Sequence, residues 1–400
     1  MKIKYITIEL TIFIILIFLQ TFSLITTKEF GIAAITIFLI FQVIWKKLYQ
    51  KINIKYLILT LMIIAMIIVS AYVNNVTYFS QILRILMTII VIYCGYLYSR
   101  TIFEDKEKTE IFWKIYSSVI LFFVLYGVYE FFAIKYELPL FMNVFNNNTS
   151  YAPKGVFIYY GGWSEGYRLY NTFYEPSVFG IFMAYNFFII LSNKYIKLSK
   201  KIVILGLIAF NLIFTFARSG WVTFLYMAAI YIVYAAFNFK STKFFDKILI
   251  LLPFLNLIIM TTLGLILYED FSSQTRTYSA IYFLTESIAD ARSVILGHGV
   301  GSVINTGYGI QFVEPHAHNG YIDIIYQVGW PIFLFILIQV YKIISNIKGC
   351  YKKVVVGITC SLCCFGVYYM VESIVILTVV MIVFAINESN REERNDTIKN

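Results

Sequence analysis

"ITIELTIFIILIFLQTFSLI", residues 6–25, carries one charged side chain in twenty positions. At about 1.5 Å of rise per residue, a helix of that length crosses a hydrocarbon layer of about 30 Å. Lipid offers no partner for backbone N–H and C=O groups, so a single apolar run must satisfy them internally, as a helix does. Lys2 and Lys4 precede the run, no small-residue cleavage site follows it, and it exceeds a signal-peptide core, so it reads as a retained anchor.

The same pattern recurs at 30–45, 55–73, 82–98, 112–133, 177–192, 202–217, 220–238, 248–267, 320–341, 354–370 and 372–387. With 60% hydrophobic and 14% charged residues, no water-soluble core could bury so much apolar surface. The expected fold is an all-α integral membrane protein, a single polytopic domain over residues 1–400 with about twelve transmembrane helices.

Lysines orient the array, because basic residues are retained on the cytoplasmic side. With both termini inside, Lys46, Lys47, Lys51, Lys55, Lys106, Lys108, Lys194, Lys197, Lys200, Lys201, Lys240, Lys243, Lys247, Lys342, Lys348, Lys352 and Lys353 all fall on that side. Topology thus accounts for the net charge of +10 without a nucleic-acid partner. Five of the eight arginines, Arg84, Arg168, Arg218, Arg276 and Arg292, fall outside instead. Cys94, Cys350, Cys360, Cys363 and Cys364 lie in helices or on the cytoplasmic side, where thiols stay reduced, so neither a disulfide framework nor a metal centre is expected.

Two outward connections are long, 134–176 and 268–319, and long ordered loops carry function. Three polar clusters stand at outward helix mouths: Glu175-Pro176-Ser177, Arg218-Ser219-Gly220, and His316 with His318 and Asn319. Helix N-termini and arginines both favour negative charge, so these mouths read as the rim of one external cavity for an anion such as a phosphorylated lipid headgroup. Arg218, between two apolar runs with almost no loop, is expected to face the bundle; its bland alternative is an interfacial arginine reaching lipid phosphates. His318 serves as a general base if neutral, while His316 suits a structural hydrogen bond and Glu175 a reserve base or cap. Tyr159, Tyr160, Trp163, Tyr167 and Tyr170 offer flat faces for sugar rings, or form an ordinary interfacial belt. "GHGVGS", 297–302, lacks the lysine and strand–helix setting of a phosphate loop and reads as a tight turn.

His318-Asn319, nine residues, then Gly329 resembles the His-Asn-x9-Gly signature of bacterial O-antigen ligases and the related O-antigen and capsule polymerases. "YNTFYEPSVFG", "FTFARSG" and "ILGHGVGS" resemble other recurrent segments of that family, so the likeness spans roughly 165–335. Ile332 departs from the Gly, Thr or Tyr that the ligase signature carries three places after its glycine, which weakens an assignment to ligase. The resemblance implies a GT-C-like glycosyltransferase of the bacterial inner membrane, working on its external face in capsule or lipopolysaccharide biosynthesis. It would transfer glycan from undecaprenyl diphosphate to the non-reducing end of another lipid-linked repeat unit, inverting and without metal or cofactor. Its partners would be that lipid-linked glycan, membrane lipids, a chain-length regulator and a flippase. In this reading Arg218, Arg168, Arg292 and Arg276 hold the diphosphate, His318 and Glu175 handle the proton, and Asn319, His316, Tyr170, Trp163 and Tyr167 hold sugar. A ligase acting on a core lipid and a transporter of lipid-linked sugars are the rival readings.

Overall fold

The computed structural model describes residues 2–19, 28–52, 54–74, 79–136, 138–139, 158–160, 163–166, 169, 171, 173, 176–236, 271–299, 302, 317, 319–346 and 352–361. The architecture is helical: α1 (Lys2–Leu19), α2 (Lys28–Trp45), α3 (Ile54–Val73), α4 (Phe79–Phe103), α5 (Lys106–Lys135), α6 (Pro176–Ser192), α7 (Leu198–Phe214), α8 (Arg218–Ala236), α9 (Phe271–Glu286), α10 (Ala291–Leu296), α11 (Gly320–Val328), α12 (Trp330–Asn346) and α13 (Lys352–Ser361). Among the described residues, α5, α8 and the Leu86–Phe103 part of α4 are long and apolar enough to cross a membrane, and shorter apolar helices accompany them. The expected spans 248–267 and 372–387 lie outside the described residues, as does 354–370 beyond Ser361.

Local chemistry sets the helix ends. Asp105 caps α5 by accepting from the N–H groups of Glu107 (2.9 Å) and Lys108 (3.4 Å), which turns the chain sharply out of α4. Helix α6 is buried on every side, and its apolar composition all round suits a central position between α7, α8 and α13. Phe18, Phe123, Phe173 and Phe182 interlock around it, with ring centroids 5.3 Å apart for Phe18–Phe123 and 5.0 Å for Phe173–Phe182. Where lipid replaces water, close packing and interhelical hydrogen bonds hold helices together. Tyr116 Oη donates to Asn186 Oδ1 (2.5 Å), Asn211 Nδ2 to the Val124 carbonyl (3.0 Å), and Tyr98 Oη to Glu9 (2.6 Å), which also pairs with Lys46.

Two features depart from the all-α expectation of unbroken spans. The first long loop holds an antiparallel hairpin, β1 (Ile158–Tyr160) with β2 (Trp163–Gly166), pairing Tyr160 with Trp163. The expected span 320–341 is two helices, interrupted at Gly329 with φ 81 and ψ 166. Proline has no amide hydrogen, so Pro331 cannot bond back to the Gln327 carbonyl, and that acceptor is free for another strand of chain. Gly299 N–H takes it at 3.0 Å, and His298 N–H takes the Tyr326 carbonyl at 2.8 Å.

Candidate functional site

The segments that carry the sequence signals meet pairwise through glycines. Gly180 of α6 and Gly220 of α8 touch so closely that a Cβ on Gly220 would stand 2.8 Å from the Gly180 backbone. A Cβ on Gly180 would stand 3.2 Å from both Ala217 Cβ and Gly220 Cα. In the other pair, a Cβ on Gly329 would reach the Ile295 carbonyl oxygen at 2.6 Å and one on Gly297 would meet Gly329 N at 2.6 Å. "PSVFG", 176–180, thus docks on "ARSG", and "ILGHG" docks on the glycine that closes the His-Asn-x9-Gly spacing.

Between α7 and α8 the chain reverses within three residues. Thr215 is buried, Phe216 takes φ 47, and Trp221 Nε1 closes over the turn onto the Leu212 carbonyl (2.8 Å). A bulky side chain at positive φ costs about 1–3 kcal/mol, which the packed surroundings must offset. Gly220, Thr223, Met227 and Ile230 form the buried stripe of α8, continued by Ala217 just before it. Arg218 therefore falls on the opposite stripe with Trp221, Leu225 and Ile232, and is exposed rather than turned into the bundle as expected. Helical periodicity decides this, because a residue between two stripe positions cannot share their face.

Two buried polar groups that sequence reasoning passed over anchor the first loop. Leu169 N–H donates to the Phe214 carbonyl at 2.9 Å. Asn171, at φ 57, gives its N–H to Glu130 Oε2 (2.8 Å) and its side-chain amide to the Phe123 carbonyl (2.7 Å). Glu130 is 2% exposed. A lone carboxylate near the end of an apolar run was the available signal, since such a group in a membrane segment needs a partner. These bonds tie the chain before Tyr170 to the end of α7 and the chain after it to α5. Arg168, Tyr167, Tyr170 and Glu175, and the Trp163 side chain, lie outside the described residues.

At the third mouth, Asn319 caps α11, its Oδ1 accepting from Tyr321 N–H (3.0 Å) and Ile322 N–H (3.4 Å). Asp323, fully buried, accepts the Ala317 N–H at 2.8 Å and so bends the preceding chain back onto the first turn. A carboxylate four residues past the cap was legible, but its backward reach was not. Asn319 Oδ1 thus takes two of the first N–H groups of α11, which reduces the donors this helix end was expected to offer an anion. The Asn319 Nδ2 group makes no hydrogen bond among the described residues. His316 and His318 lie outside the described residues; their neighbours Ala317 and Asn319 are buried.

The arginines separate by environment. Arg292 is occupied with α3, donating to the Val73 carbonyl and to Asn74 Oδ1 (2.9 Å). Arg276 is half-buried on α9, and its Nε is buried without a hydrogen-bond partner among the described residues. Ala280 and Phe283 of α9 share one cluster with Ala317, Ile322 and Tyr326, and Phe283 stands edge-on to Tyr326 at 4.8 Å. At the far end of α9, the Glu286 carbonyl meets the His298 ring, which stacks on Tyr326 at 4.2 Å. Arg276, one turn before Ala280 on the same face, is carried back toward the Ala317–Asn319 end. The α11 mouth also joins the central bundle: Tyr321 Oη donates to the Thr359 carbonyl of α13 (2.7 Å), and Ser361 hydrogen-bonds Tyr185 of α6 (3.0 Å).

No family model matches the chain, and neither the curated proteins nor the solved structures include a significant match.

Proposed function

We propose that the protein is a polysaccharide polymerase of the bacterial inner membrane with about twelve transmembrane helices, both termini cytoplasmic and its site on the external face. It transfers glycan from undecaprenyl diphosphate to the non-reducing end of a second lipid-linked repeat unit. The observation that carries this reading is the glycine pairing: the four segments resembling the O-antigen polymerase and ligase family contact one another as Gly180 with Gly220 and Gly297 with Gly329. Segments far apart in the chain are thereby drawn into two junctions, and the Tyr321–Thr359 and Tyr185–Ser361 hydrogen bonds tie the α11 mouth to the bundle that holds the first of them, which supports a single transfer site.

The attacking sugar hydroxyl forms a bond to the anomeric carbon as the carbon–diphosphate bond breaks. The bond's electron pair leaves with the diphosphate, and the hydroxyl proton passes to His318, with Glu175 as reserve base. Charge growing on the departing phosphate is the main electrostatic demand. Arg276 is the first choice to meet it, because its buried Nε lacks a partner and its face of α9 leads to the Asn319 cap. Arg218 and Arg168 serve the outer phosphate or the lipid surface. The Asn319 amide donates to a sugar hydroxyl or phosphate oxygen while its carbonyl caps the helix.

Purified protein incubated with lipid diphosphate-linked repeats should give a ladder of lipid-linked polymer. Glycan appearing only on an added core lipid would make it a ligase, and movement of substrate across vesicles without new bonds would make it a transporter. Arg276→Ala and His318→Ala should each abolish the ladder with protein levels unchanged, and Arg276→Lys should not rescue it, since lysine lacks the planar fork.

A further inference from the structure

Away from the glycine-paired segments, α1 and α5 leave a groove of about 520 Å³ between them. Its walls are Ile15, Phe18, Ile115, Val119 and Phe122, with Lys114 and Ser118 also lining it. The Lys114 ammonium makes no hydrogen bond or ion pair among the described residues, and Glu110, one turn earlier, does not bridge to it. A second cation stands at the same end: Lys200, the third residue of α7, donates to Ser117 Oγ (2.9 Å) and Ser118 Oγ (3.3 Å). From Lys114 to Phe122 the helix rises about 12 Å, close to the depth of one leaflet of a hydrocarbon layer about 30 Å thick.

We infer that this groove binds an anionic glycerophospholipid from the leaflet on the lysine-rich side of the protein. One acyl chain lies along Ile15, Val119 and Phe122, and the phosphate sits between Lys114 and Lys200. Apolar contact alone cannot select a lipid here, because neighbouring tails are equally apolar. Selection comes from the two ammonium groups, which favour a negatively charged headgroup over a zwitterionic one. The one-leaflet depth matches a diacyl lipid; a polyisoprenoid carrier would run past the groove's end at Phe122.

The test is native mass spectrometry of the full chain released from micelles holding equal phosphatidylglycerol and phosphatidylcholine. One phosphatidylglycerol should be retained in preference. Lys114→Ala and Lys200→Ala should each weaken that retention about five-fold, whereas Lys106→Ala and Lys108→Ala, outside the groove, should leave it unchanged. Val119→Trp, which fills the groove, should remove it; if that variant does not fold, the lysine series decides alone. Equal retention of the two lipids, retention undiminished in the Lys114/Lys200 double variant, or displacement of phosphatidylglycerol by an equal concentration of undecaprenyl phosphate would overturn the proposal.

Discussion

The two glycine contacts solve different problems. At Gly180 and Gly220, two regular helices cross, and all that is asked of either residue is the absence of a side chain. At Gly297 and Gly329, both residues sit at positive φ (66 and 81) with ψ near 180°, a region open essentially to glycine alone, while their backbones also touch. The first contact is a matter of space. The second combines space with backbone conformation, and it has to, because it interrupts a helix: α11 ends there, and its last carbonyls are satisfied by the His298 and Gly299 N–H groups from a distant segment. Helix α3 reinforces the junction, with Ser70 Oγ donating to the Leu296 carbonyl (2.6 Å) and Asn74 Nδ2 to the Gly297 carbonyl (3.1 Å).

That contrast ranks substitutions, all readable as thermal unfolding in detergent. Gly329→Ala should be the most damaging, with about 1–3 kcal/mol of conformational strain added to about 1–3 kcal/mol of overpacking, and Gly297→Ala should match it. If either proved as mild as a helix-crossing substitution, the conformational half of the distinction would fail. Gly220→Ala should cost about 1–3 kcal/mol through overpacking alone, and Gly180→Ala less, because its nearest neighbours stand at 3.2 Å rather than 2.8 Å.

Asp323→Ala should cost about 1–3 kcal/mol by leaving the buried Ala317 N–H without an acceptor, while Asp323→Asn, which keeps an oxygen in place, should cost less. Proteolytic susceptibility around residue 317 would register the same order, and equal losses for the two variants would point to the charge rather than the hydrogen bond. The smallest change belongs to Ser70→Ala, about 0.5–1.5 kcal/mol, which should loosen the interrupted helix and leave the α6–α8 crossing untouched.

The break at Gly329 was partly legible. Gly329 and Pro331, two residues apart in "QVGWPI", are the residues that end helices, yet the unbroken apolarity from 320 to 341 outweighed them. Hydropathy measures transfer to lipid and is blind to a missing backbone hydrogen bond. The Asn319 cap stands openly in the sequence, but the use of Asp323 depends on the chain folding back by six residues. Arg218 and Arg276 look alike as strings, each an arginine beside small polar residues. Only the packed stripes of α8 and α9 separate an exposed guanidinium from one whose Nε is buried and unpartnered.

By itself the sequence determined the helical class and the apolar runs suited to crossing a membrane, because apolar content and run length are additive properties that need no partner. It also marked the glycines that matter, without saying what each one touches. The tertiary structure decided which glycine meets which, where a span is cut in two, and which arginine buries an Nε that has no hydrogen-bond partner among the described residues. Those depend on contacts between residues up to a few hundred positions apart, and no local period in a chain encodes the identity of a distant neighbour.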